Sequence, residues 1–413
     1  MRFPVLLTPL LTGAAFCVLS LSLTARAADL DWRAVIAALD STSPVLAESR
    51  LQLAEARMEY ASARAIPNPV AAVELQNLKD DSESEKEQTI GIHQPLGFLW
   101  SKSSDIAARK YHFQSKQAAF EEAHQALIAE LMLSVAKLYN LNEQRTLLDS
   151  VLVAASQAKL AMDARLREGD VSEYEAQRME AEMVEVEFRK LEIENELRSL
   201  AHDLVNLTGL PIEMLRELPM PELPVPPFAD VASALEYGRN NRHTLAEKIL
   251  QSKAAEKSLL SAKRQQLPDF GVGVARKTAD PNWSGLVLEA ELEIPIWSRR
   301  TAERRFASAN LAITRKTQIA AELSVTREIT AAMERWARMQ KSSMTPRVYR
   351  FEDALTGLNR GVKLYATGEF GALELVDALR TSVDALAAYQ ELDTEMLTAN
   401  LELRRATGLT ILE

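Results

Sequence analysis

A set of short motifs recurs in this chain at an interval of about two hundred residues, and that duplication limits the possible folds more than any other feature. Ile66-Pro67-Asn68-Pro69 returns as Leu267-Pro268-Asp269-Phe270, and Gln94-Pro95-Leu96 as Ile294-Pro295-Ile296. Trp100-Ser101-Lys102 returns as Trp297-Ser298-Arg299, and Leu166 to Gly169 is echoed by Tyr365 to Gly368. The 40-residue step from Gly169 to Gly209 is repeated from Gly368 to Gly408. Chance supplies one such match easily, but not a series in register. The chain is two copies of one unit.

Each unit reads as a helical segment, two short strands, one very long helix, a glycine turn and a returning helix. The first repeat spans 28–210, with a helix over 30–65, strands near 67–78 and 86–96, a long helix over 100–166 and a helix over 172–207. The second spans 230–413, with a helix over 231–265, strands near 268–277 and 285–295, a long helix over 298–366 and a helix over 371–407. Leu127, Leu131, Val135, Leu138, Leu141, Leu148, Leu152 and Ala155 recur every three to four residues or in multiples of that step, the spacing of a packed helical seam. A helix of that length reaches roughly 100 Å at 1.5 Å per residue. A compact globule has no use for it. Between the units, 211–229 holds six of the sixteen prolines and is expected to run extended as a connector.

Residues 1–27 read as a signal peptide, with Arg2 as the positive start, a mostly apolar Val5 to Leu23 and the small-x-small site Ala25-Arg26-Ala27. The single cysteine, Cys17, falls inside that segment, so the remainder offers no thiol for disulfide, metal or nucleophilic chemistry. After the signal no run of 18 apolar residues appears, which excludes a transmembrane helix. A formal charge of −10 without a basic block excludes nucleic acid as a partner.

If such a chain crosses a membrane, it does so as strands. Leu286, Leu288, Ala290, Leu292 and Ile294 alternate with Val287, Glu289, Glu291 and Glu293, giving one apolar and one largely acidic face. Phe270, Val272 and Val274 alternate with Gly271, Gly273 and Ala275, and Val73 and Leu75 with Glu74 and Gln76. These lengths suit transmembrane β-strands, with Asp80 to Glu87 and Thr278 to Ser284 as polar external loops. A soluble four-stranded sheet lying on helices would show the same alternation. The very long helices and the export signal favour the membrane. Four strands cannot close a barrel, and an open edge in lipid leaves backbone groups unpaired, so the strands must be pooled between copies. Three copies give twelve strands.

Over essentially its whole mature length the chain resembles the TolC family of outer-membrane efflux proteins. The duplicated unit carries the resemblance, with the tip signatures Leu166-Arg167-Glu168-Gly169 and Tyr365-Ala366-Thr367-Gly368. Ile66-Pro67-Asn68-Pro69, Gln94-Pro95-Leu96 and Ile294-Pro295-Ile296 look most like the branch serving cobalt-zinc-cadmium efflux. The resemblance implies a mainly α fold with a membrane β part: a homotrimer forming a 12-stranded β-barrel in outer-membrane lipid, continued by a periplasmic α-helical barrel. It implies docking on a periplasmic adaptor protein and an inner-membrane pump of the resistance–nodulation–division type. It also implies a passive conduit without cofactor.

By position after the tip glycines, Glu374 and Asp377 match the family's acidic aperture residues, and Glu175 the equivalent place on the first tip. Arg167, Gly169, Asp170, Val171, Gly368, Glu369 and Phe370 are the expected adaptor contacts. Glu289, Glu291 and Glu293 would line the barrel lumen, with His93 as a bystander rather than a metal ligand. Ser172-Glu173-Tyr174-Glu175 also fits a capping box, and Gly169 a left-handed helix stop, so the tips have a purely structural reading too. No catalytic motif occurs; Glu121-x-x-His124 is half of a di-iron pattern and reads as a solvated helix face. Multidrug efflux and type I protein secretion remain alternatives, as does a soluble periplasmic coiled-coil scaffold.

Overall fold

The computed structural model describes residues 32–79, 84–216, 218–279, 283–297, 299–343 and 351–411. The signal segment lies outside them. The first repeat runs α1 (Trp32–Thr42), α2 (Pro44–Arg64), β1 (Val70–Lys79), β2 (Ser84–Pro95), α3 (Phe98–Glu168) and α4 (Glu173–Thr208). A five-residue helix, α5 (Ile212–Arg216), follows, and then α6 (Val231–Asn241), α7 (His243–Arg264), β3 (Asp269–Ala279) and β4 (Trp283–Glu293). The chain ends with α8 (Thr301–Ser343), α9 (Phe351–Thr367) and α10 (Ala372–Thr407). Of the helix expected over 298–366, residues 298 and 344–350 lie outside the described residues.

Three local departures have simple causes. The leading helix of each repeat is broken: at Ser43 the ring of Pro44 disfavours helical geometry in the residue before it, and at Arg242 the backbone is extended. The connector is not extended throughout: Pro211 precedes α5, a place where a missing N–H costs a helix nothing. Further along, the carbonyl of Pro224 accepts from Arg404 Nη2 at 2.9 Å and Asn400 Nδ2 at 3.3 Å, which ties the connector to α10. The strands also reach further into the expected loops. Ser84 pairs with Lys79 and Ala279 with Trp283, and Lys277 Nζ binds Glu87 Oε2 at 2.6 Å across the β2–β3 ladder.

The helices form a layer in the order α2, α3, α7, α8, and the strands one antiparallel sheet in the order β1, β2, β3, β4. Buried apolar side chains gather in two clusters, one where α3 meets α1, α4, α9 and α10, the other among α6, α7, α8 and α10. No helix packs across either face of the sheet among the described residues. The soluble alternative, a sheet lying on helices, is therefore not this fold.

The register sorts the sheet into two unlike faces. Val73, Ile90, Ile92, Val274, Leu286 and Leu288 share one, and Leu288 there is 80% exposed. Glu74, Thr89, His93, Lys277 and the β4 glutamates share the other. On that polar face the rows converge. A Cβ at Gly91 would lie 2.6 Å from the Cβ of Ala275 opposite, where a flat antiparallel pair keeps about 4.5–5.5 Å. The sheet is therefore curled with its polar face concave. We predict that Gly91→Val costs about 1–3 kcal/mol by overpacking this concavity. Thermal unfolding would measure it, and Ala275→Gly in the same chain should return part of the loss; no recovery would argue against the curvature as the cause.

Candidate functional site

The far end of the molecule from the sheet is formed by two helix reversals. At the first, the Asp170 N–H reaches back to the Arg165 carbonyl at 3.0 Å and the Gly169 N–H to that of Leu166 at 3.2 Å. At the second, Glu369 reaches Leu364 at 2.9 Å and Gly368 reaches Tyr365 at 3.1 Å. Both are Schellman stops, and both need φ near +84°, which glycine alone adopts at no cost. Arg167, Gly169, Asp170, Gly368 and Glu369 are exposed there, and Val171 and Phe370 half-buried.

The acidic residues at these tips are engaged in starting the returning helices. Glu175 accepts from the Ser172 N–H at 2.9 Å and from Ser172 Oγ at 2.8 Å, while its own N–H donates to Ser172 Oγ at 3.3 Å. The Ser172 N–H and then its hydroxyl hold the Glu175 carboxyl below the usual carboxylate range. Glu374 accepts from the Gly371 N–H at 2.6 Å in the same way. Asp377, one turn further along α10, is exposed.

A contact between the two tips completes the site. The Arg165 guanidinium of α3 lies 4.9 Å from the ring centre of Tyr365 on α9, a cation–π distance. Tyr365 is fully buried, and burial pushes its hydroxyl up from its ordinary value while the Arg165 charge opposes that shift. Glu175 lies near enough to raise it further. Arg165 adjoins the first tip signature and Tyr365 opens the second, but nothing in either segment alone shows that they meet.

At the opposite end, Glu289 and Glu291 stand across from Gly273 and Gly271 on the concave face. His93 joins them: its Nε2 is 3.3 Å from Glu291 Oε2, and Glu289 Oε2 and His93 Nδ1 flank the point where a Gly273 Cβ would sit. Glu293 pairs with Asp269, whose carboxylate meets Arg300 at 3.2 Å. His93 is thus a member of the acidic face and not a lone residue. His124 corrects a second expectation. Only 17% of its side chain is exposed; Nε2 sits 2.8 Å from Asp40 Oδ1 and the ring stacks on Phe120. It belongs to the packing between α3 and α1, not to a solvated face. Among the described residues no group of three or more His, Cys, Asp or Glu is placed to hold a metal ion.

The duplicated helix–strand–strand–helix architecture, with one uncovered apolar sheet face and long paired helices, is shared with solved outer-membrane channels. Residues 235–409 match the family model described as outer membrane efflux protein. The chain is 21% identical over 360 residues to the cobalt-zinc-cadmium resistance protein CzcC of Cupriavidus metallidurans, covering 85% of each chain. A membrane protein from Pseudomonas aeruginosa shares the fold with a TM-score of 0.75 at 18% identity, covering 92% of this chain and 90% of that one. CusC does so with a TM-score of 0.72 at 16% identity, covering 92% of each.

The capping geometry makes the start of α4 sensitive to acid. A carboxyl held below its unfolded value stabilises the fold above that value and loses the contribution as pH falls through the depressed one. Hydrogen exchange over residues 172–180 should therefore show protection at neutral pH that is lost in acid. Glu175→Gln should remove that pH dependence; an unchanged profile in the variant would assign it elsewhere.

Proposed function

We propose that three copies of this chain close into one tube, a 12-stranded barrel in the outer membrane continued by a periplasmic helical barrel. Heavy-metal cations delivered by an inner-membrane pump through a periplasmic adaptor leave the cell along it. One observation carries the reading: both layers are open at the same two edges. β1 and β4 bound the sheet, α2 and α8 bound the helical layer, and α2 leads into β1 as β4 leads into α8. Unpaired strand edges cannot persist in hydrocarbon, and four strands fall short of the eight or so a barrel needs. A sector open on both sides, curled with its polar face inward, is completed by further copies of itself.

The inward face then sets the character of the pore. Glu74, Glu289 and Glu291 give a lumen that favours cations over anions by charge, without a closed site to retain them. At the periplasmic end, Glu175, Glu374 and Asp377 of three copies ring the aperture, and Arg167, Asp170, Val171, Glu369 and Phe370 are the surface offered to the adaptor. The likeness to CzcC supports metal as the cargo.

Cellular zinc, cobalt and cadmium, measured beside retention of a hydrophobic dye with and without this gene, test the cargo. Deletion should raise the metals and leave dye export normal. Dye retention with normal metal would assign the channel to multidrug efflux instead.

A further inference from the structure

The open edges carry more than an invitation to close. On α2 the side chains of Ala47, Leu51, Ala54, Met58 and Ala61 follow one another at steps of four and three residues, and all are exposed. Leu51 is 72% and Met58 62% exposed. On α8, Phe306, Ala309, Ile313, Lys316 and Ala320 do the same at steps of three and four, with Phe306 75% exposed. Among the described residues, nothing in the same chain covers either heptad seam. The two step patterns are mirror images, which is what antiparallel helices need to keep every layer aligned.

We infer that α8 of one copy packs antiparallel on α2 of the next, in the register that sets Phe306 on Ala61 and Ile313 on Ala54. This rests on the assembly proposed above and fixes its joint. Direction follows from connectivity, since α2 runs toward the sheet and α8 away from it. Height follows from the duplication. Inside the chain the first repeat meets the second at α3 and α7, the counterparts of α8 and α2. There Arg264, at the end of α7, donates to Ser103 Oγ at 3.0 Å and Ser104 Oγ at 2.8 Å, near the start of α3. Carried over by the repeat interval, that contact sets the end of α2 beside the first turn of α8, to within about one helical turn.

Side-chain size selects among registers one turn apart. With Phe306 on Ala61, Met58 falls on Ala309, Ile313 on Ala54, and the stem of Lys316 covers Leu51 while its amine reaches water. Large faces small in each of the first three layers, the arrangement that fills space without strain. One turn away, Phe306 meets Met58 and Ile313 meets Leu51. Bulk then opposes bulk.

Cysteine cross-linking in the full-length protein, in outer membranes and a Cys17→Ala background, decides between them. Phe306→Cys with Ala61→Cys should give covalent dimers and trimers on a denaturing gel, at least about fivefold more than Phe306→Cys with Met58→Cys, because a disulfide needs Cα atoms within about 7 Å. Ile313→Cys with Ala54→Cys repeats the test without removing the phenyl ring. Equal or stronger linking of the Met58 pair overturns the register. So does no linking by either in-register pair in a protein that native mass spectrometry shows to be trimeric. A strictly monomeric protein overturns the assembly itself.

Discussion

The unpaired backbone along β1 and β4 governs everything else in this molecule. An apolar sheet face can be exposed to lipid, but a row of free N–H and C=O groups in hydrocarbon costs several kcal/mol for each group left unmet. Among the described residues no helix covers those edges and no bulge blunts them, whereas a soluble sheet would use such a device. The chain leaves them bare and curls the sheet between them. Glycines on the concave side make the curl possible. Gly91, Gly271 and Gly273 each sit where a Cβ would strike a neighbouring strand's atoms.

Duplication supplies the same joint twice, and the two copies of its supports differ in chemistry. In the first repeat Gly209 closes α4 against Thr42, and the Thr42 and Ser43 hydroxyls donate to the carbonyls of Thr208 and Leu207 at 2.8 and 3.0 Å. In the second, Gly408 closes α10 against Asn241, and the place of Ser43 is taken by Arg242, whose guanidinium donates to the Arg405 carbonyl. That side chain, only 7% exposed, also meets Glu122 at 3.2 Å and Glu328 at 3.4 Å. A hydroxyl suffices where one repeat closes on itself. The arginine ties α7 to α3, α8 and α10, so the joint between repeats is held by charge as well as packing. Removing one partner of such a buried pair leaves the others uncompensated, which is why its loss costs more than its formation gains.

Much of this fold could be read in the sequence because its signals are local. Period-2 alternation marks β4, the glycines at 169 and 368 mark the left-handed stops, and Ser172-x-x-Glu175 is a complete capping box. What could not be read depends on residues far apart in the chain. The Gly91–Ala275 approach, the His93–Glu291 pair and the Arg165–Tyr365 stack each join the two repeats. No spacing rule reaches across two hundred residues. The capping role of Glu374 was hidden for another reason: its cap begins at Gly371, which has no side chain to advertise a capping box. The connector misled in the opposite direction, since proline forbids helix interiors but suits the start of α5.

The tips then show why acidic residues at an aperture need not act as a binding site. Glu175 and Glu374 each accept a hydrogen bond from the backbone N–H that starts their own helix. A carboxylate so engaged keeps its negative charge but has surrendered acceptor positions and freedom to turn toward the axis. To ligate a cation it would have to release the cap, at a cost of about 1 kcal/mol in helix stability. Asp377 is one turn deeper in α10, clear of that duty. In the proposed trimer, a ring of three such residues would attract cations through its field while holding none of them firmly, which is what a passive conduit requires. The Arg165–Tyr365 stack meanwhile joins the α3–α4 and α9–α10 pairs at their ends, so any movement that separates the two pairs must first part that contact.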